Sequence, residues 1–432
     1  MHINMYNVQF GDCFLLCDKN ENLLVDFGSD NPKCDLTAIS NHIKVESGDK
    51  PLSVLISHFH EDHINGFLKS SFNATNIYLP DIIAMKKSIR KLSFLQMEIL
   101  ADIFKWIPVR KSNKLVITLY DLLLKLCDEY STVHFLQRGS SFNVSEREYQ
   151  VLWPDFSKLS IHGRVEKKIL KVLKKLGFIS DEQRIEDVPS IRGEIIDQVF
   201  VDGVSRELGF PIKILDPFID IIVEGYETLA NMWQSNQPPN TQQLQVAYNN
   251  LQADLTNTLD AVFGNDEIET GLLRDLSDLH SSIHKQANKY SIVFHDTPQN
   301  GVSSILMTGD VTSPEFDKLL DNRVYVAPQI SLEYNIIKAP HHATDTHFTP
   351  KLPISHIIMA SNGVPNANHK SWHKISYQYG AFYNSHKSTE MICSNKRCEL
   401  VSLKRTPNCR NCGRTYCSHN GDSVNVVTLP TL

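Results

Sequence analysis

The chain has 432 residues, 41% of them hydrophobic, enough for one large domain or two ordinary ones. Its 43 Lys and Arg against 49 Asp and Glu give a formal net charge of -6, which excludes a global basic field, so a nucleic-acid partner would be held by a local patch or by metal. The opening residues carry no basic stretch followed by an apolar run, and no window reaches the ~18 apolar residues of a membrane span, so a cytoplasmic chain with no membrane partner is expected.

From Met1 to Asp81, short apolar runs broken by turn residues predict strands at Ile3 to Phe10, Phe14 to Cys17, Leu23 to Phe27, Leu52 to Ser57 and Ile77 to Leu79. Asp81 to Tyr130 reads as helical, with Ile, Leu and Lys recurring at three- and four-residue spacing. Strands return at Thr132 to Leu136 and Tyr149 to Trp153. Residues 156–286 then form a helical insertion between a first half, 1–155, and a second half, 287–392. Within it, Leu244, Tyr248, Leu251, Leu255, Leu259 and Val262 make a near-heptad stripe suited to a partner helix or to self-association, with packing inside the insertion as the competing reading. Its His162, His280 and His284 form no metal-like cluster, so a second catalytic domain is not expected there. Ser291 to Phe294 and Ser304 to Thr308 flank a Pro-Gln-Asn-Gly turn, predicting a hairpin. Tyr334 to Lys338, His356 to Ala360 and Ser423 to Thr428 complete the predicted strands.

The chemistry concentrates in Ser57-His58-Phe59-His60-Glu61-Asp62-His63, directly after an apolar strand. Three histidines and a carboxylate this close cannot all enter a core unpaired, but they can all face metal. His58 and His60 project to one side of an extended turn, and Asp62 and His63 turn back toward a second ion.

This H-x-H-x-D-H resembles the signature of the metallo-β-lactamase superfamily. Val8 to Asp12, Leu24 to Gly28, Met307 to Asp310 and Lys338 to His342 resemble, in order, the V-G-Q-G-D, I-D-x-G, L-T-G-D and K-x-P-H-H segments of its competence-type branch, named for the DNA-uptake protein ComEC. Asn366 to His369 falls where that branch has an asparagine and a histidine. The resemblance implies an α/β fold, an αββα sandwich with metals at one edge. It implies two divalent ions, zinc or manganese. His58 and His60 would bind the first and Asp62 and His63 the second, with Asp310 bridging and one of His341 and His342 completing the second site. Many relatives supply a third first-site histidine from a mid-chain strand, but the matching segment here is Val151-Leu152-Trp153-Pro154. His295 is read as a surface histidine and not as a substitute.

The implied chemistry is hydrolysis by a metal-bridged hydroxide, with Asp62 orienting it and with His369, or whichever of His341 and His342 is not a ligand, protonating the leaving group or holding a phosphate oxygen. K-x-P-H-H points to a phosphodiesterase or nuclease acting on nucleic acid or nucleotides. A lactonase- or thioesterase-type hydrolase is the alternative enzyme, and a metal-binding scaffold subunit of a larger complex is the alternative class.

Of nine cysteines, Cys13, Cys17, Cys34 and Cys127 read as small core residues. The other five lie in Cys393-x4-Cys398 and Cys409-x2-Cys412-x4-Cys417-x-His419, a candidate knuckle in which four of Cys393, Cys398, Cys409, Cys412, Cys417 and His419 bind one structural zinc. This knuckle, residues 393–419, precedes a final strand segment at 420–432. Lys396, Arg397, Lys404, Arg405, Arg410 and Arg414 make it the most basic stretch and the best candidate for phosphate contact.

Overall fold

Alternation builds the first sheet. Ile3 and Met5 on β1 (His2–Tyr6), Phe14 and Leu16 on β2 (Cys13–Cys17), and Leu23 and Val25 on β3 (Asn22–Phe27) share one face, because successive strand side chains point oppositely, and they enter one buried core. In the computed structural model the described residues are 1–82, 94–128, 130–159, 164, 165, 168, 172, 225, 228, 241–263, 269–297, 303–321, 328–331, 333–344, 347, 349, 351–361, 390–393 and 424–428. β4 (Leu52–Leu55), β5 (Ala74–Pro80) and β6 (Thr132–Leu136) extend the sheet in parallel from β3.

The second sheet runs from the antiparallel β7 (Ser141–Val144), β8 (Arg147–Trp153) and β9 (Val293–Asp296) through β10 (Ser303–Met307) to the parallel β11 (Glu333–Lys338), β12 (Ile354–Ala360) and β13 (Glu390–Cys393). β14 (Val424–Thr428) closes the first sheet against β1, so each sheet has seven strands among the described residues. The two sheets meet through Tyr78 and Phe142, whose ring centroids are 4.5 Å apart, and Tyr149 and Phe294 pack edge to face beside them. Helix α1 (Leu36–Ser47) starts at Asp35, whose carboxylate accepts the Ala38 amide at 2.9 Å, and its His42 ring meets Tyr6 on the outer face of the first sheet. Helix α2 (Glu61–Lys69) follows the histidine-rich loop. The result is the mixed α/β sandwich of two sheets and helices expected from the sequence.

The chain divides into two units. One comprises Met1–Asp81, Lys125–Asp155 and Asn288–Leu432 and carries both sheets; the other comprises Ile82–Leu124 and Phe156–Ala287. Residues 82–124, expected inside the first half of the sandwich, therefore cluster with the insertion. In this second unit α3 (Phe94–Trp106) packs on α6 (Thr270–His284), and Tyr120 of α4 (Thr118–Leu126) stacks on Tyr248 of α5 (Thr241–Phe263) with centroids 5.7 Å apart. Leu244, Tyr248, Leu251 and Leu255 are buried there, so the described part of the stripe serves the unit's own core and is not a free face for a partner; the side chains of Leu259 and Val262 lie outside the described set. Amphipathic helices bury their apolar stripe on the nearest core they can reach.

Other expectations shift as well. The first strand stops at Tyr6 and not Phe10, because Gln9 at φ 69° and Gly11 at φ 142° turn the chain out of the extended region. Cys34 is only half-buried, whereas Cys13, Cys17 and Cys127 are core residues. Among the described residues no helix is long and apolar enough to cross a membrane.

Candidate metal centre

Four strand ends deliver the site. Asp26 lies near the C-terminal end of β3, Ser57 to His63 follow β4, Thr308 to Asp310 follow β10, and Lys338 to Ala343 lead out of β11. The pairings β3/β4, β4/β5 and β10/β11 are all parallel, and loops at the carboxyl ends of parallel strands converge. Two glycines let α2 approach. A Cβ on Gly28 would stand 2.4 Å from the Asp62 carbonyl carbon, and one on Gly11 would stand 2.6 Å from the Asp62 oxygen. The Asp12 amide donates to that same oxygen at 3.0 Å, fixing the first turn of α2 and with it Asp62 and His63.

Four side chains then face one another. His63 Nε2 lies 3.2 Å from Asp310 Oδ2 and 3.8 Å from Asp62 Oδ2, and His342 Nε2 lies 3.4 Å and 3.2 Å from the same two oxygens. Each contributes one donor atom to a group whose members all fall within 4.8 Å of one another. His58 adjoins it, its ring 4.2 Å from that of His63 and 4.5 Å from that of His60.

A single carboxylate backs two of the imidazoles. Asp26 Oδ2 accepts from His63 Nδ1 at 2.9 Å and from the Ser57 hydroxyl at 2.7 Å, while Oδ1 accepts the Ser57 amide at 2.7 Å. Because Ser57 spends its proton on Asp26, its oxygen accepts from His58 Nδ1 at 3.0 Å. The network thus assigns the Nδ1–H tautomer to both rings and turns both Nε2 lone pairs away from Asp26.

Lys338 is buried with all three protons placed: on Gly309 O at 2.6 Å, Asp12 Oδ2 at 2.5 Å and Asp310 Oδ1 at 3.2 Å. It occupies the Oδ1 of Asp310 and leaves Oδ2 to the imidazoles. His341, His342 and Ala343 follow with φ of 43°, 55° and 62°, three consecutive non-glycine residues in the left-handed region, at a cost of about 1–2 kcal/mol each. The His341 amide donating to Gly309 O at 3.2 Å and the Thr344 amide donating to His341 O at 3.0 Å hold this turn. Such strain concentrates where a side chain must be aimed, here His342.

The electrostatics are lopsided. The carboxylates of Asp12, Asp26, Asp62 and Asp310 all lie within 4 Å of His63, only Asp12 and Asp310 also reach the buried Lys338, and all but Asp62 are sealed from solvent. Burial works against protonating His63, but Asp310, Asp62 and Asp26 outweigh it and hold its pKa well above the usual imidazole value. His342 is raised likewise: burial opposes, and Asp310 and Asp12 prevail. Burial, reinforced by His63 and His60, pushes His58 far down, and burial also takes His341 down to about 3.

These residues fit a divalent cation. In a tetrahedral zinc site with bonds of about 2.0–2.1 Å, neighbouring donors stand roughly 3.3 Å apart, and the four contacts above span 3.2 to 3.8 Å. With Nδ1–H on Asp26, His63 Nε2 faces two carboxylate oxygens, a place that its own second proton fills in the metal-free chain and that a cation can take in exchange. His58 Nε2 is buried with no hydrogen bond among the described residues. The donors are imidazole and carboxylate, the set that suits zinc or manganese.

Of the site residues expected from the sequence, Asp62, His63, Asp310 and His342 come together. His341 stands outside that group, 3.6 Å from Asp310 Oδ2 and stacked on His347. His58 and His60 lie beside it as a pair. His369, Cys398, Cys409, Cys412, Cys417 and His419 lie outside the described residues, and only the backbone of Cys393, at the end of β13, is within them. His295 is not at the surface: it is fully buried on β9, its Nδ1 2.8 Å from the Tyr334 hydroxyl, because strands in the middle of this sheet are covered on both faces. Sequence reasoning passed over Asp12, Asp26, Ser57 and Lys338 as site residues. Their signal was present as the letters that accompany the ligands in the segments G-D, D-F-G, S-H-F-H and K-A-P-H-H.

Residues 6–97 match the family model of the metallo-β-lactamase superfamily, a span that contains Asp12, Asp26 and His58 to His63. No curated protein matches the chain. Among solved structures, twelve chains match; one is the metallo-β-lactamase fold protein YhfI from Bacillus subtilis, 16% identical over 35% of this chain and 52% of that one, with a TM-score of 0.19. The chain thus spans about half the length of that relative.

Proposed function

We propose that the protein is a metal-dependent hydrolase that cleaves phosphodiesters in nucleic acid or nucleotides. The observation that carries the hydrolase reading is the convergence of Asp62, His63, Asp310 and His342 at donor spacing, backed by the family match over residues 6–97. The K-A-P-H-H segment, by its resemblance to the competence-type branch, supports the phosphodiester side, as does the basic stretch 396–414.

Asp62, His63, Asp310 and His342 would hold one divalent ion, and His58 and His60 would contribute to a second. A bound ion supplies Lewis acidity and a nucleophile at neutral pH. The chain's own residues do the positioning. Asp26 fixes His63 and, through Ser57, His58; Lys338 restricts Asp310 to one free oxygen; Asp62, the one carboxylate of the group with some solvent access, faces the approaching substrate. His369 is the proposed donor to the leaving group.

The test is a panel of single- and double-stranded DNA, RNA, bis-p-nitrophenyl phosphate, a lactone and a β-lactam, each with chelator and with zinc or manganese restored. Phosphodiester cleavage that chelation abolishes and metal restores is expected. Cleavage of the lactone or lactam alone contradicts the substrate class, and full activity after chelation contradicts metal dependence.

A further inference from the structure

We infer that His2, Cys17 and Glu46 form a separate site for one zinc-type divalent cation, at the opposite end of the β1–β2 hairpin from Asp12. His2 and Cys17 are direct partners across the two strands, and Glu46 comes from the last turn of α1. His2 Nε2 stands 3.5 Å from Glu46 Oε1, and the three donor atoms all lie within 4.8 Å of one another. Five residues of extended chain separate Cys17 from Asp12, roughly 17 Å, so the two sites share no ligand.

A second feature points to a ligand here. Asn4 shares the outward face of β1 with His2 and is buried, with Nδ2 3.9 Å from Cys17 Sγ and Oδ1 making no hydrogen bond among the described residues. An amide held against sulfur is the outer partner that a metal-bound thiolate takes. An unsatisfied amide oxygen beside it is costly unless something polar arrives.

The charges balance. One thiolate and one carboxylate neutralise a divalent ion, and neutral imidazole supplies the third donor, leaving a fourth position for water. As the metal–sulfur bond forms, the Cys17 S–H bond breaks and its proton goes to solvent; no electron is transferred. Burial holds the free thiol up at about 11, so it stays protonated until a metal displaces the proton. Sulfur with imidazole selects zinc or cobalt over magnesium or calcium.

The test is cobalt titration of the full chain, read by the thiolate-to-cobalt charge-transfer band as the difference between the unmodified protein and Cys17→Ser, which cancels every other thiol. A difference band saturating at one equivalent is expected, with His2→Asn and Glu46→Gln each weakening binding by about tenfold or more. Both are partly exposed positions whose replacement leaves the core intact, and each is also read as a direct difference from the unmodified protein, so they decide the matter even where Cys17→Ser fails to fold. No difference band, or unchanged affinity in both rim variants, overturns the proposal.

Discussion

Two histidine groups sit side by side at the candidate centre, and they are built differently. Asp62, His63, Asp310 and His342 come from α2 and from the segments that follow β10 and β11, and close on one another with the far atom of each of His63, His342 and Asp310 within reach of a buried partner: Asp26, Asp12 and Lys338. His58 and His60 are neighbours in one loop, and among the described residues they gather no third donor into a compact group. The difference teaches that a histidine-rich loop supplies a pair cheaply, whereas a closed set needs donors from separate strands with their second atoms already held.

The largest effect expected from that contrast is on the closed group. His342→Ala or Asp310→Ala should lower phosphodiester hydrolysis by more than the ~100-fold upper end of outer-partner changes, with the fold retained by circular dichroism, and His60→Ala should cost less. Equal losses in His60→Ala and His342→Ala would erase the distinction between the groups.

Asp26→Asn sharpens the comparison, because Asp26 backs His63 directly and His58 through Ser57. It should weaken metal binding about 10–100-fold, measured by competition with a chelating dye, and the loss should appear in both groups. A variant binding metal as tightly as the parent would show the relay to be idle.

The smallest effect lies away from the centre, at His295. Burial takes its pKa down to about 4, and Tyr334, whose hydroxyl accepts the Ser331 amide, donates to its Nδ1. A depressed histidine binds fewer protons folded than unfolded, so its contribution is present above about pH 6.5 and is lost as pH falls toward 4, by about 3 kcal/mol in all. Denaturant titrations across that window should show a shallower acid decline in His295→Gln than in the parent. Parallel declines would mean that His295 does not titrate in this way.

Much of this was legible in the sequence, for identifiable reasons. The strands were visible because apolar runs such as Leu23 to Phe27 are bounded by turn residues, and Asp62, His63 and Asp310 stood out because carboxylate and imidazole cluster after strands. The choice between His341 and His342 was not legible, because it depends on three successive left-handed residues that no spacing encodes. Asp26 and Lys338 looked like motif letters because their role lies in contacts with residues 31 and 28 positions away. The burial of the Leu244 to Leu255 stripe depends on where Tyr120 and Gly225 fall in the folded unit, and periodicity alone cannot say which surface a stripe meets.

The most direct measurement of the central claim is an anomalous difference map at the zinc edge, from crystals of the full chain grown with zinc. The account predicts a peak about 2.0–2.2 Å from His63 Nε2, His342 Nε2 and the Oδ2 atoms of Asp62 and Asp310, present in His341→Ala and absent in His342→Ala. Zinc bound elsewhere on the chain with no peak among those four residues, or a peak that survives His342→Ala and vanishes in His341→Ala, would contradict it.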